Sequence, residues 1–424
     1  MHRTLRQCEQ YKTTHPSPNG RFSQLTRTAR PPSSWSVESQ AVHAGETGYR
    51  SAATSTSTPI FMTSSFHYET TDALERVLAY DEPGFVYTRY GNPTTHAFET
   101  AVAQLEGTDE ALAFSSGMAA IYAAIALCVS AGGSVVASRD IYGASFSVLR
   151  DHFQKLGVTP VFVDITDLDA VSAAVAEHRP AAILAETLSN PLLRIADIRA
   201  LAKIAHAAEA MLLIDNTFAT PLLVRPCSLG ADMSIHSSTK YIGGHGDLTG
   251  GVIAGSSDVI GSLREQTKML GAIPSPMDAW LSLRGIKTMP LRFDRQCTSA
   301  REIAEVLRGD TRFASILYPG DNEGPQDQFL SAHRGAMMSF EVVGASRETI
   351  FRLMSELELV IPATTLGDVY SLMLYPAMAS HRALTPEERH EVGITESLVR
   401  LSVGIESPKD ILDDIRQAAS RALG

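Results

Sequence analysis

Among its 424 residues the chain has four cysteines, two tryptophans, no apolar run of transmembrane length and no excess of basic charge. Each scarcity closes a class of function. Cys8, Cys128, Cys227 and Cys297 stand far apart, with no pair at the close spacing of a zinc ribbon, and they are too few for a disulfide scaffold of this size. The expected compartment is therefore the reducing cytoplasm. Without about 18 consecutive apolar residues, no segment is expected to cross a bilayer. A formal net charge of −11 gives no electrostatic footprint for nucleic acid or an anionic membrane, so neither is an expected partner. No G-x-G-x-x-G follows a first strand, which argues against a nicotinamide-dependent oxidoreductase.

The charge is unevenly spread. Residues 1–36 hold Arg3, Arg6, Lys12, Arg21, Arg27 and Arg30 against Glu9, a net of +5 that leaves −16 on the rest. This acid-poor stretch shares its composition with organelle transit peptides but lacks the apolar core of a secretory signal. Pro16, Pro18, Gly20, Pro31 and Pro32 interrupt any helical pattern, so 1–36 is read as a disordered extension. The Ser/Thr/Ala run Ser51–Thr58 reads as an extended arm. With 44% of residues hydrophobic, the remainder can bury a large core, in two or three domains at about 100–200 residues each.

From about residue 100 to 255, apolar runs alternate with Ala-rich helical stretches, the pattern of a mostly parallel sheet covered by helices. Ser134–Ser138, Val158–Asp164, Ala181–Glu186, Ala210–Thr217, Ala231–Ser237 and Gly250–Gly255 read as strands. They are apolar throughout rather than alternating, which predicts that both sheet faces are covered. Gly117–Ser130, Tyr142–Leu156 and Asp197–Glu209 read as helices. Beyond about 290, amphipathic helices at Arg301–Arg308, Arg347–Leu357 and Lys409–Leu423 accompany a strand at Ala336–Val343, so a second, smaller α/β domain is expected.

Ligands in open α/β sheets bind at the carboxyl ends of the strands, so polar residues just after each apolar run are candidates. Tyr142, Glu186 with Asn190, Asp215-Asn216-Thr217 and His236-Ser237-Ser238-Thr239-Lys240 occupy such places. A lone Lys240 before Gly243-Gly244-His245-Gly246 is ordinarily a surface loop lysine. Asp215 at another strand end changes the balance, because a Schiff-base lysine and an acid facing a pyridinium nitrogen recur in pyridoxal-phosphate (PLP) sites. Ser115-Ser116-Gly117-Met118 opens a long helix whose N–H groups and positive dipole end can receive phosphate. Tyr87-Thr88-Arg89-Tyr90-Gly91-Asn92 adds a guanidinium suited to bidentate phosphate contact. His236 and His245 read as packing and turn residues rather than metal ligands, and Glu387–Glu391 as a solvated helix start capped by Thr385.

YTRYGNPT, SSGMAA, Tyr142-Gly143, ETLSNP, DNTF, SSTKYIGGHGD and LVRLSVGIE, in this order, resemble the Cys/Met-metabolism family of PLP-dependent enzymes, closest in texture to its methionine γ-lyases. The likeness spans residues 37–424. It implies the PLP fold type I, with an arm at 37–91 contacting a neighbouring subunit, a PLP-binding large domain at 92–290 and a small C-terminal domain at 291–424. It also implies that Lys240 holds the cofactor as an imine, Asp215 pairs with the pyridine nitrogen, Tyr142 stacks on the ring and Asn190 contacts the ring hydroxyl. Gly117, Met118, Ser237 and Thr239, with Thr217 beside them, would complete the cofactor site. Tyr87 and Arg89 would reach it from the neighbouring subunit of a dimer-of-dimers tetramer. Arg400, with Thr365 and Tyr142, would bind the amino-acid substrate.

Several positions depart from the methionine γ-lyase pattern. Ala144 follows the Tyr-Gly pair where those lyases usually carry Cys, and Thr267-Lys268 replaces their Lys-Asp pair. Thr364-Thr365-Leu366-Gly367 has Thr where cystathionine γ-lyases commonly place Glu. Yet Arg284–Cys297 strongly resembles the corresponding methionine γ-lyase segment. The expected reaction is γ-elimination on a sulfur-containing or other Cγ-heteroatom amino acid; γ-replacement, of the cystathionine γ-synthase or O-acylhomoserine sulfhydrylase type, is the alternative.

Overall fold

A computed structural model describes residues 35–45, 55–321, 330, 333–382 and 384–424. Nearly all of the N-terminal extension, and the Ser51–Thr54 part of the expected arm, lie outside the described residues. The apolar runs of the first half become β1 (Glu110–Phe114), β2 (Ser134–Ser138), β3 (Thr159–Val163), β4 (Ala182–Glu186), β5 (Met211–Asp215), β6 (Met233–His236) and β7 (Gly251–Gly255). They form one sheet in the order β1-β7-β6-β5-β4-β2-β3. Strands β6 to β3 run parallel, whereas β7 pairs antiparallel with both β6 and β1.

Period-two alternation assigns successive side chains to opposite faces. Val135, Ala137, Leu184, Leu213 and Ile235 pack with the helix Gly117–Cys128. Val136, Ile183, Leu212 and Ile214 pack with the helices Leu168–His178 and Ile198–Ala207. Covering on both faces is why most of these strands carry no polar alternation; β6 (MSIH) is the exception.

A second sheet comprises β8 (Phe313–Leu317), β9 (Met337–Val342), β10 (Ile361–Pro362), β11 (Leu372–Leu374) and β12 (Leu398–Ser402), in the order β10-β11-β12-β9-β8. Its core lies against the helices Arg347–Ser355 and Pro408–Leu423. A 33-residue helix, Pro276–Arg308, serves both halves: Ala279, Leu283 and Ile286 enter the core beside the first sheet, Ala300, Ile303 and Leu307 that of the second. Residue 290, where the large domain is expected to end, is Pro290 inside this helix. An internal proline removes a helical donor, so the sequence pattern exposes only the segment from Arg301.

Three further expectations change. β1 was not expected at all. Tyr142–Leu156 is not one α-helix: Gly143–Ser147 is α, Val148–Phe153 is a π turn and Gln154–Leu156 is 3-10, ended by Gly157 at φ +83°. The Glu387–Glu391 helix has its Thr385–Glu388 capping box, but Arg389 is buried and paired with Glu396 at 2.7 Å, so its surroundings are not wholly solvent.

Candidate active site

At the carboxyl ends of β4, β5 and β6 lies a cavity of about 390 Å³. It brings together Gly117, Met118, Tyr142, Asn190, Asp215, Thr217, Ser237, Thr239, Lys240 and Arg400. Residues more than 280 positions apart thus meet at one opening. Thr365 joins them through Lys240.

Lys240 follows β6 in a tight turn: Gly243 N donates to Ser238 O at 2.8 Å and Gly244 N to Lys240 O at 2.7 Å. Gly244 has φ +72°, and the Arg292 guanidinium packs where its Cβ would stand, so only glycine fits. The Lys240 Nζ donates to Thr365 Oγ1 at 2.7 Å. Burial, then the Arg400 cation, lower this amine to about 8, against an opposing pull from Asp368.

Arg400 projects from the middle of β12. Its Nη1 donates to Asn190 Oδ1 at 2.7 Å and its Nη2 to the Thr365 carbonyl at 3.3 Å. Its Nε is buried with no hydrogen-bond partner among the described residues. Burial lowers the guanidinium to about 10, still charged at neutral pH. A buried cation with an unmet donor beside a cavity suits a carboxylate ligand.

Asp215 ends β5. Its Oδ1 accepts from Thr217 N at 3.0 Å, and Thr217 Oγ1 accepts from Ser237 N at 2.9 Å, which ties β5 to β6. Burial pushes the Asp215 carboxyl up, while the Thr217 hydrogen bonds act in the opposite direction. Glu186, at the end of β4, accepts from Tyr142 N and Asn190 N at 3.0 Å each. Burial and the nearby Asp215 raise its carboxyl well above the usual range.

Ser116 caps the helix Gly117–Cys128 by accepting from Ala119 N. Gly117 and Met118, first in the helix, have N–H groups without intrahelical acceptors, at its positive dipole end. A Cβ on Gly117 would stand 2.8 Å from the Ser237 Cβ, so glycine permits the approach of the two loops. Thr239 Oγ1 accepts from Gly250 N at 2.9 Å. Tyr142 is 40% exposed at the cavity mouth. Gly143 beside it abuts the Ser380 carbonyl, leaving no room for a side chain.

Tyr87 and Arg89 do not line this cavity. Arg89 lies 4.8 Å from the Tyr90 ring and 5.6 Å from the Tyr87 ring, and donates to the Lys268 carbonyl. It borders a different cavity of about 460 Å³ with Tyr80, His96 and Glu99. Phe218, Thr249 and Ser380 line the Lys240 cavity without having been singled out. Phe218 stands in the DNTF motif and lies 5.8 Å from the Arg400 guanidinium; nothing in the sequence around Ser380 marked it.

The donor set fits PLP. Unpaired helix N–H groups with the Ser237 and Thr239 hydroxyls suit a phosphate, the weakly basic Lys240 amine suits an aldehyde, and Asp215 suits a protonated ring nitrogen. Together with the fold, these features define a lysine-dependent PLP enzyme of fold type I. The chain belongs to the Cys/Met metabolism PLP-dependent enzyme family, which residues 38–420 match. It is 38% identical over 369 residues to L-methionine gamma-lyase of Fusobacterium nucleatum subsp. polymorphum, covering 86% of this chain and 93% of that protein. It is 37% identical over 390 residues to cystathionine beta-lyase of Lactococcus lactis subsp. cremoris, covering 91% and 99%. Among solved structures, cystathionine gamma synthase from Xanthomonas oryzae pv. oryzae in complex with aminoacrylate and cysteine superposes with a TM-score of 0.85 at 34% identity, covering 92% and 99%.

Proposed function

We propose that the protein catalyses γ-elimination on a sulfur-containing or other Cγ-heteroatom amino acid, consuming water and releasing a 2-oxo acid, ammonia and a thiol or its equivalent. One observation carries the site reading: Thr365 accepts from both Lys240, through its hydroxyl, and Arg400, through its carbonyl. The amine that moves protons and the cation that holds the substrate are thereby fixed relative to each other.

When bound, PLP supplies the electron sink that makes the substrate Cα–H acidic. Arg400 receives the α-carboxylate, with Asn190 fixing the plane of the guanidinium. Lys240 takes the proton from Cα and serves again at Cβ, a role suited to an amine near neutrality. Tyr142, at the mouth, donates a proton to the departing heteroatom. Asp215 would face the ring nitrogen, and Gly117, Met118, Ser237 and Thr239 would hold the phosphate.

Tyr87 and Arg89 act on the cofactor of a neighbouring subunit, in a dimer-of-dimers tetramer, which accounts for their distance from Lys240 in one chain. Among the described residues no helix is long and apolar enough to cross a membrane, and Cys128, Cys227 and Cys297 are free thiols, in keeping with a cytoplasmic enzyme.

Elimination is favoured because five of the similar relatives, at 37–40% identity, carry the name L-methionine gamma-lyase. Replacement is the second reading, supported by cystathionine gamma synthase structures at 34% identity. A panel of methionine, homocysteine, cystathionine and O-acylhomoserine tests the choice. Release of 2-oxobutanoate without any added thiol supports elimination; product formed only when O-acylhomoserine and a thiol are both present overturns it.

A further inference from the structure

On the far side of the sheet from the cavity, directly behind Asp215, lies a buried polar cluster that the reaction does not use. Asp215 pairs in register with Ile235, so the next residues, Asn216 and His236, point to the opposite face together with Ser234. There Glu106, the last residue of the helix Pro93–Glu106, meets all three through one oxygen. Its Oε1 stands 2.5 Å from His236 Nε2, and accepts from Ser234 Oγ at 2.9 Å and Asn216 Nδ2 at 3.3 Å. Asn216 also donates to the Val224 carbonyl at 2.8 Å and accepts from Thr187 Oγ1 at 2.7 Å. Glu106, Asn216, Ser234 and His236 are all at most 1% exposed.

Burying an acid and an imidazole costs several kcal/mol unless they satisfy each other. Their placement behind Asp215 gives a reason for them. The Asp215 carboxyl is pushed up by burial, and His236, after the Thr217 hydrogen bonds, works in the opposite direction. Cys227, whose thiol burial and then Glu106 push up to about 12, is a further titratable group facing Glu106.

We propose that Glu106 and His236 are positioning residues for the cofactor: Glu106 ties His236 and Asn216 together directly behind Asp215, so that the Asp215 carboxyl is held toward the PLP ring nitrogen. The inference rests on Asp215 facing that nitrogen. Glu106 also clamps Asn216, the residue that follows Asp215, and thereby holds the backbone that aims the carboxylate.

The test is a double-mutant cycle read by the PLP dissociation constant and the visible absorption of the holoprotein, without substrate turnover. Glu106→Gln and His236→Gln are each made alone and in an Asp215→Asn background; the second keeps a donor at the Nε2 position and removes the imidazole. Each single variant is expected to weaken PLP binding about tenfold, the equivalent of one pKa unit, and to shift the visible band. In the Asp215→Asn background each should change binding less than twofold, because the residue they act through is gone. Equal losses in both backgrounds would show a merely structural role and overturn the proposal, as would unchanged binding in both single variants. If Glu106→Gln does not fold, His236→Gln decides by the same comparison. Asp215→Asn binding PLP as tightly as the natural protein would instead overturn the reading of Asp215 itself.

Discussion

The Lys240 amine is neutral over more of the physiological range than an exposed lysine, because burial and Arg400 lower it to about 8. Only the neutral amine attacks an aldehyde, so the rate at which cofactor-free protein captures PLP should rise with pH through about 8 and level off above it. Stopped-flow absorbance measures this; a rate still climbing steeply at pH 10, as for an ordinary lysine near 10.4, would contradict the burial argument. Arg400 makes two directed hydrogen bonds that a lysine cannot reproduce in one plane. Arg400→Lys should lower kcat/KM about 100-fold, two charge-assisted hydrogen bonds at ~1.5 kcal/mol each, with PLP still bound. Steady-state kinetics on the holoprotein checks it.

At the scale of elements, the closing helix Pro408–Leu423 stabilises the small sheet through one side chain. Asp414 accepts from the N–H groups of Glu358, Leu359 and Val360 at 2.8–2.9 Å. Burial opposes its ionised form, but these hydrogen bonds outweigh that and hold its carboxyl below the usual value. Asp414→Asn should cost about 2 kcal/mol of unfolding free energy by denaturant titration. Because the folded carboxyl is the stronger acid, the contribution is present above about pH 4 and is lost as pH falls further, so the two proteins should converge in acid.

The sequence alone placed β2 to β7 within two residues at either end, since each is a short apolar run between turn residues. It missed Glu110–Phe114, because EALAF, three residues beyond the helix Pro93–Glu106, has the composition of more helix, and only pairing with β7 makes it a strand. Lys240, Asp215 and Arg400 were legible from their motifs. The tie of both basic residues to Thr365 was not, nor was the role of His236, which reads as a packing residue until Glu106, 130 positions earlier, is placed against it. Those contacts depend on how strands and helices from distant segments are superposed, which no local pattern contains.

At the scale of the whole molecule, the acidic chain concentrates Lys240 and Arg400 at one opening while Arg89 lies at another cavity. If sites are shared between subunits, mixing Lys240→Ala chains with Arg89→Ala chains should restore activity, since hybrids combine the natural Lys240 of one chain with the natural Arg89 of the other. Restoration checked by assay after subunit exchange supports the shared site; no activity in verified hybrids contradicts it.

On the proposed function, Lys240 is the residue carrying PLP in the cavity beneath Arg400. Reduction of the holoprotein with borohydride followed by peptide mass mapping tests it most directly. A single phosphopyridoxyl adduct is expected on the peptide containing Lys240 and none in Lys240→Ala; an adduct on another lysine, with Lys240 unmodified, would overturn the assignment.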